Sequence, residues 1–430
     1  MKPLNGTRFL RRTLICLVLI SGALVALEAQ SLTVATTDYP TLGNPTSAVA
    51  TADGRYVFVS VTNVGSPDFK GSDQAAGARK DVVSGIQIFR RASPSDAPGS
   101  KLKPGGFIPI GSKGANGLVL LKGDQTLVAG AGDAGVAFLN VQDMAHGKAK
   151  PHFAAQGDGA GTFDVVASPD GSFVFSANEY GIVQRQRGSV GIIAVGADAA
   201  GRVTHPKPIG QRPAGDVVPS LALSPDGSRL YVATELVPVN DPPPIAGVGN
   251  PTLTKNDCVQ KKGTPPQSNG FITVIDTQRA TESTSNAILS RVAAGCSPVR
   301  LVETADSSVL FVSARGDDKI LAFTPRLLES DPDHALLRAI PSGGAAPVGM
   351  RLFGQDRMLA VANSNRFADS NGSVAVLDVS DVSSSSGRAL LKRWPAGGFP
   401  RNIGISHDSK TLYLTNYASR SLQVIQISIR

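Results

Sequence analysis

SPDGSRLYVAT, beginning at Ser224 and ending at Thr234, is the stretch on which the fold turns. Its Asp-Gly pair suits a tight turn, because Asp hydrogen-bonds nearby amides and Gly tolerates positive φ. The residues that follow are rich in the β-branched and aromatic types that favour a strand. Working outward, the same unit recurs as TADGRYVFVS at Thr51, SPDGSFVFSAN at Ser168, TADSSVLFVSA at Thr304 and SHDSKTLYLTN at Ser406. Weaker copies stand at Lys122 (KGDQTLVAG) and Phe353 (FGQDRMLAVAN), which brings the total to seven.

The flanks repeat as well. A short strand precedes each turn, as in SPVRLVE and PRNIGIS, often opened by a proline (Pro45, Pro298, Pro347, Pro400). A third apolar strand follows, as in GFITVID and GSVAVLDV, and then a less apolar fourth, as in LLRAIPSGG and LLKRWPAGG. Four antiparallel strands repeated seven times predict an all-β, seven-bladed β-propeller over residues 30–430. The last repeat lacks a fourth strand, while SLTVAT at 31–36 is an orphan ahead of the first. That orphan is expected to become the outer strand of blade seven and close the ring without a free edge.

Residues 1–29 fall outside this pattern. Lys2, Arg8, Arg11 and Arg12 precede an apolar run, and Ala26 and Ala29 offer small residues for a peptidase. The run is shorter than the ~20 residues a spanning helix needs, so it reads as a secretory signal peptide. The mature chain is then expected in the periplasm or outside the cell, without a membrane span, and as a monomer. Setting aside the leader's four cations and Glu28 lowers the formal charge from +8 to +5. Lys and Arg are scattered without a basic run, which gives no sign of nucleic-acid binding.

Irregular sequence gathers in loops that a propeller places on one face: residues 65–81, the EYGIVQRQRG beginning at Glu179, the long insertion 236–269 and the NSNRFADSNG beginning at Asn363. Long loops on a rigid scaffold commonly carry binding or catalysis. Beyond the leader the only cysteines are Cys258, in the insertion, and Cys296, in the loop leading into blade five. Adjacent placement on the same face predicts a disulfide between them, two unpaired thiols being the alternative.

Aligning the turns also aligns the innermost strands. Six residues before each turn aspartate, or before Gln355 in its place in blade six, stand Ser47, Leu118, Asp164, Ser220, Arg300, Gly349 and Asn402, mostly polar or small, as suits a wet channel. Glu179, Glu235, Arg315, Arg366 and Arg401 are expected on the same face. Arginines around a channel mouth would offer forked donors to a carboxylate or phosphate. Glu235 would then be placed as a general base. The alternative is a rim of charges that pair with one another. There is no haem-attachment motif, HExxH, phosphate-binding glycine loop or GxSxG, and the histidines have no metal-ligand spacing, so neither cofactor nor metal is expected.

The repeats SPDGSRLYVAT and NGFITVIDTQRA, with GCSPVR, resemble YVTN-type bacterial β-propellers and the related lactonase-like seven-bladed propellers. Within the lactonase-like branch, the ATEL at Ala233 is similar to a strand-end Glu-Leu, which implies an acid/base role for Glu235. FPRNIGIS and LYLTNY resemble that branch's Pro-Arg approach and strand-end Asn, implying that Arg401 and Asn416 contact substrate. No inner strand here opens with the histidine usual in that branch. The expected function is therefore binding of a small anionic ligand or a protein partner at the loop-rich face. The alternative is a metal-independent hydrolase of a sugar or muconate-type lactone using Glu235 with Arg300 or Arg401.

Overall fold

The turns close as their sequence suggests. In blade three, Ser168 Oγ donates to Asp170 Oδ1 at 2.6 Å, and Asp170 Oδ1 accepts from Ser172 N at 3.0 Å. Blades one, four, five and seven repeat the hydroxyl-to-aspartate bond at Thr51, Ser224, Thr304 and Ser406, all between 2.6 and 2.7 Å. The turn's left-handed residue is Gly54, Gly171 or Gly227 where the sequence reads Asp-Gly, and Ser307 or Ser409 where it reads Asp-Ser.

The structure, a computed structural model, describes residues 32–65, 83–93, 95–97, 101–111, 114–155, 161–183, 186–198, 202–236, 258, 268–282, 286–366, 368, 370–382 and 389–429. The leader, the blade-one insertion beyond Gly65 and most of 236–269 lie outside those residues. Seven four-stranded antiparallel sheets form a seven-bladed β-propeller. Blade five is representative: Pro298–Glu303, Leu310–Ala314, Lys319–Phe323 and Leu336–Pro341 pair in chain order from the innermost strand outward.

The ring closes as the orphan strand predicts, and over a longer span. Leu32–Pro40 pairs antiparallel with Ser421–Ile429, from Leu32 opposite Ile429 to Pro40 opposite Ser421. Blade seven is therefore completed by the start of the chain.

Second strands such as Leu310–Ala314, Met358–Asn363 and Thr411–Asn416 are buried along their whole length. They lie inside the ring of sheets, so both of their faces meet a neighbouring blade and hydrophobic alternation disappears. Between blades four and five, Tyr231, Ile272 and Val274 pack with Leu310, Val312, Leu321 and Phe323. Such seams between blades supply the core, at roughly 25 cal/mol per Å² of apolar surface removed from water.

Cys258 and Cys296 are disulfide-bonded, with Cα atoms 5.7 Å apart, as their placement predicts. Cys296 ends the outer strand of blade four, Ile288–Cys296, so the bond ties the insertion to the start of blade five. Among the described residues, no helix is long and apolar enough to cross a membrane.

Candidate functional site

A β-bulge recurs at the start of the innermost strand in blades one, three, five, six and seven. Just before it the backbone is left-handed at Gly161, Ser297, Ala346 and Phe399. A bulge leaves a residue unpaired and re-aims its side chain. In blades three and seven the bulged residues are Phe163 and Arg401, and they meet. The Arg401 guanidinium carbon lies 4.8 Å from the Phe163 ring centre, 5.0 Å from Tyr417 and 5.9 Å from Phe399.

Arg300 from blade five approaches the same Phe163 ring, at 5.6 Å. Blades three, five and seven are not neighbours in the ring, so these contacts span the channel mouth. Arg300 also donates through Nη1 to the carbonyls of Pro219 (2.9 Å) and Val299 (2.7 Å), while its buried Nε has no partner among the described residues. Burial lowers the Arg300 pKa and Arg401 and Arg315 add to the effect, against the opposing pull of Asp164 and Glu179. Even so lowered, a guanidinium keeps its charge at neutral pH.

Deeper in the channel wall, Asp164 Oδ1 accepts from Val165 N at 3.0 Å and Oδ2 from Leu221 N at 3.5 Å, bridging blades three and four. Burial raises the Asp164 pKa, opposed by Arg300 and by hydrogen bonds from Ser220, Val165 and Leu221. Gly117 of blade two abuts Asp164, and a Cβ there would collide with the carboxylate. Asn402 Oδ1 accepts from Ser47 Oγ at 3.5 Å across the seam between blades seven and one. Asp164 and Asn402, at equivalent positions of the aligned register, thus each contact the inner strand of a neighbouring blade.

The other expected residues divide. Glu235 and Arg315 are paired, the carboxylate accepting from Arg315 Nη2 at the junction of blades four and five. Arg315 is 8 % exposed, and both residues are anchored through backbone bonds, Glu235 N to Val217 O and Arg315 N to Ser297 O. Glu179 stands beside Gly161, its amide donating to that carbonyl, and acts on Arg300. Arg366 covers the Phe399 ring at 5.3 Å. Asn416 is buried against Gly397, with Nδ2 donating to Ser421 Oγ at 3.3 Å, and so serves the wall of blade seven.

Two features escape the sequence reading. Phe163 is the ring on which Arg300 and Arg401 converge; its signal is the position one residue before the aligned register. Arg351, two residues beyond Gly349 on the same strand, donates through Nε to Ile403 O at 3.2 Å, and burial lowers its pKa while Asp164 opposes. Among the described residues no group of three His, Cys, Asp or Glu is placed to hold a metal ion.

No family model matches the sequence, and no curated protein matches it. Among solved structures the chain is similar to Kuenenia stuttgartiensis hydrazine synthase, with a TM-score of 0.58 and 14 % identity. The match covers 90 % of this chain and 96 % of that one. At that identity the similarity concerns the fold alone.

Proposed function

We propose that the channel mouth binds a small anion, with the guanidiniums of Arg300 and Arg401 as its principal contacts. The observation that carries this reading is the buried Arg300 Nε, which lacks a partner beside a second guanidinium held on the same ring. A buried donor without a partner is costly, and an oxyanion relieves that cost while matching the guanidinium fork. The remaining mouth charges, Glu235 with Arg315, Glu179 and Arg366, brace this centre. The bonded cysteines and the leader-like residues 1–29 support action outside the cytoplasm.

A second reading is hydrolysis of a lactone, as the lactonase-like resemblance implies. It is supported by the position of Glu235 at the same mouth, where it would have to leave Arg315 to accept a proton. A thermal-shift screen with citrate, gluconate, phosphate and glucono-δ-lactone separates the readings. Binding predicts a raised melting temperature with at least one anion and no lactone turnover. Lactone opening that disappears in Glu235→Gln favours the hydrolase. If no anion shifts the transition and no lactone opens, both readings fail.

A further inference from the structure

The opposite face of the ring carries the Asp turns, and one of them departs from its own repeat. The residue just before each turn is Ala50, Leu121, Ala167, Leu223, Phe353 or Ile405 in six blades, all apolar. In blade five it is Glu303. This carboxylate ends the innermost strand Pro298–Glu303, and neither of its buried oxygens makes a well-formed hydrogen bond among the described residues, although the Ser307 hydroxyl lies near enough to favour its charged form. Local rules are broken at a cost in stability, and such breaks concentrate at functional sites.

Glu303 lines a groove of about 320 Å³ between the turns of blades four and five. Its other walls include Asp226, Arg229, Tyr231, Ser307 and Glu329. Arg229 is already engaged, with Nε donating to Glu329 Oε1 at 2.6 Å and Nη1 lying 3.4 Å from Asp276. The Asp226 Oδ1 accepts from Ser224 Oγ and Ser228 N, at 2.6 and 3.0 Å. Glu303 is the carboxylate left over.

We infer that this groove is a second binding site, for a cationic nitrogen group, an ammonium or guanidinium, that donates N–H bonds to Glu303. The volume admits one such group on a short chain. The groove's carboxylates are not among any group of three His, Cys, Asp or Glu placed to hold a metal ion among the described residues. Burial, helped by Asp226 and Asp306 and opposed by the Ser307 hydroxyl, pushes the Glu303 carboxyl up to about 7. Of the other charged groups at the groove, Glu329 acts in the same sense as the aspartates, and Arg229 and Arg326 in the opposite one. Docking of a cation therefore requires loss of the Glu303 proton, and affinity rises with pH.

The test is calorimetric titration of the chain with agmatine, and separately with an acetylated Gly-Arg-Gly amide, at pH 6 and pH 8. A group titrating near 7 predicts about tenfold tighter binding at pH 8. Glu303→Gln should abolish both binding and its pH dependence. Glu303→Leu, which restores the apolar residue of the repeat, should also lose binding while melting at or above the wild-type temperature. Tighter binding of agmatine identifies a small free cation as the ligand class, and tighter binding of the peptide identifies a basic side chain. Absence of binding by both probes, equal binding by Glu303→Gln, or affinity independent of pH overturns the proposal.

Discussion

The two faces of the ring are built on opposite principles. On the turn face, five blades repeat one hydroxyl–aspartate bond within 0.1 Å, 2.6 to 2.7 Å. On the loop face the inner-strand bulge also repeats, yet the residue it presents changes from blade to blade: Thr46, Phe163, Val299, Arg401. A repeated backbone device with varied side chains is what a site requires, while a repeated device with repeated side chains serves the fold. Within the turn face, titration separates the repeated aspartates from the one exception. Hydrogen bonds from Ser168 and Ser172 hold Asp170 at about 2, below its ordinary 3.8. Its contribution to stability is present above 3.8 and is lost as the pH falls through 2. Glu303 has the opposite sign. Raised from 4.5 to about 7, it costs stability at pH above 7, a cost relieved progressively down to 4.5.

The largest expected effect breaks both faces together. Deleting Leu32–Pro40 strips the outer strand from blade seven, exposing the edge of Ser421–Ile429. Leu32, Val34 and Tyr39 are partly buried there, and their loss alone is worth about 3 kcal/mol, before the ladder bonds are counted. The deleted protein should aggregate or melt far below the parent in a light-scattering melt. Equal melting would show that the closing strand is peripheral.

A smaller effect should fall on the loop face alone. Cys258→Ser with Cys296→Ser releases a cross-link between positions 38 apart in sequence and should cost about 2–4 kcal/mol. Hydrogen exchange should quicken at the junction of blades four and five near the mouth and stay unchanged in the Asp turns. Uniform quickening on both faces would contradict the division of labour.

The unequal legibility of the molecule follows from the same division. The Asp turns, the buried second strands and the closing strand could be read because each is a local pattern copied along the chain. The disulfide could be read because few cysteines were available and topology placed them side by side. The stack of Arg300 and Arg401 on Phe163 could not, since it joins three non-adjacent blades across a channel whose width no local pattern encodes. Arg351 was hidden for a related reason: the aligned register stops at Gly349, and the strand presents its channel face again two residues later. The Glu235–Arg315 pair shows the limit from the other side. Both residues were legible as charges on one face, but their mutual engagement depends on how blade four meets blade five. Glu303 is the one acid in an apolar column of the repeats, but the burial of its oxygens depends on how the turns of blades four and five pack, which no local pattern encodes.

The central claim is that guanidiniums at the mouth bind an anion. Its most direct test is calorimetric titration of gluconate and of citrate into the wild-type chain and Arg401→Ala, well below either melting temperature. Loss of a forked, charge-assisted contact costs about 1.5–3 kcal/mol, so affinity for the anion that binds should fall by one to two decades. The weakening should shrink as salt is raised, because charge carries it. Unchanged affinity in Arg401→Ala would contradict the claim and leave the mouth as a braced, solvated rim.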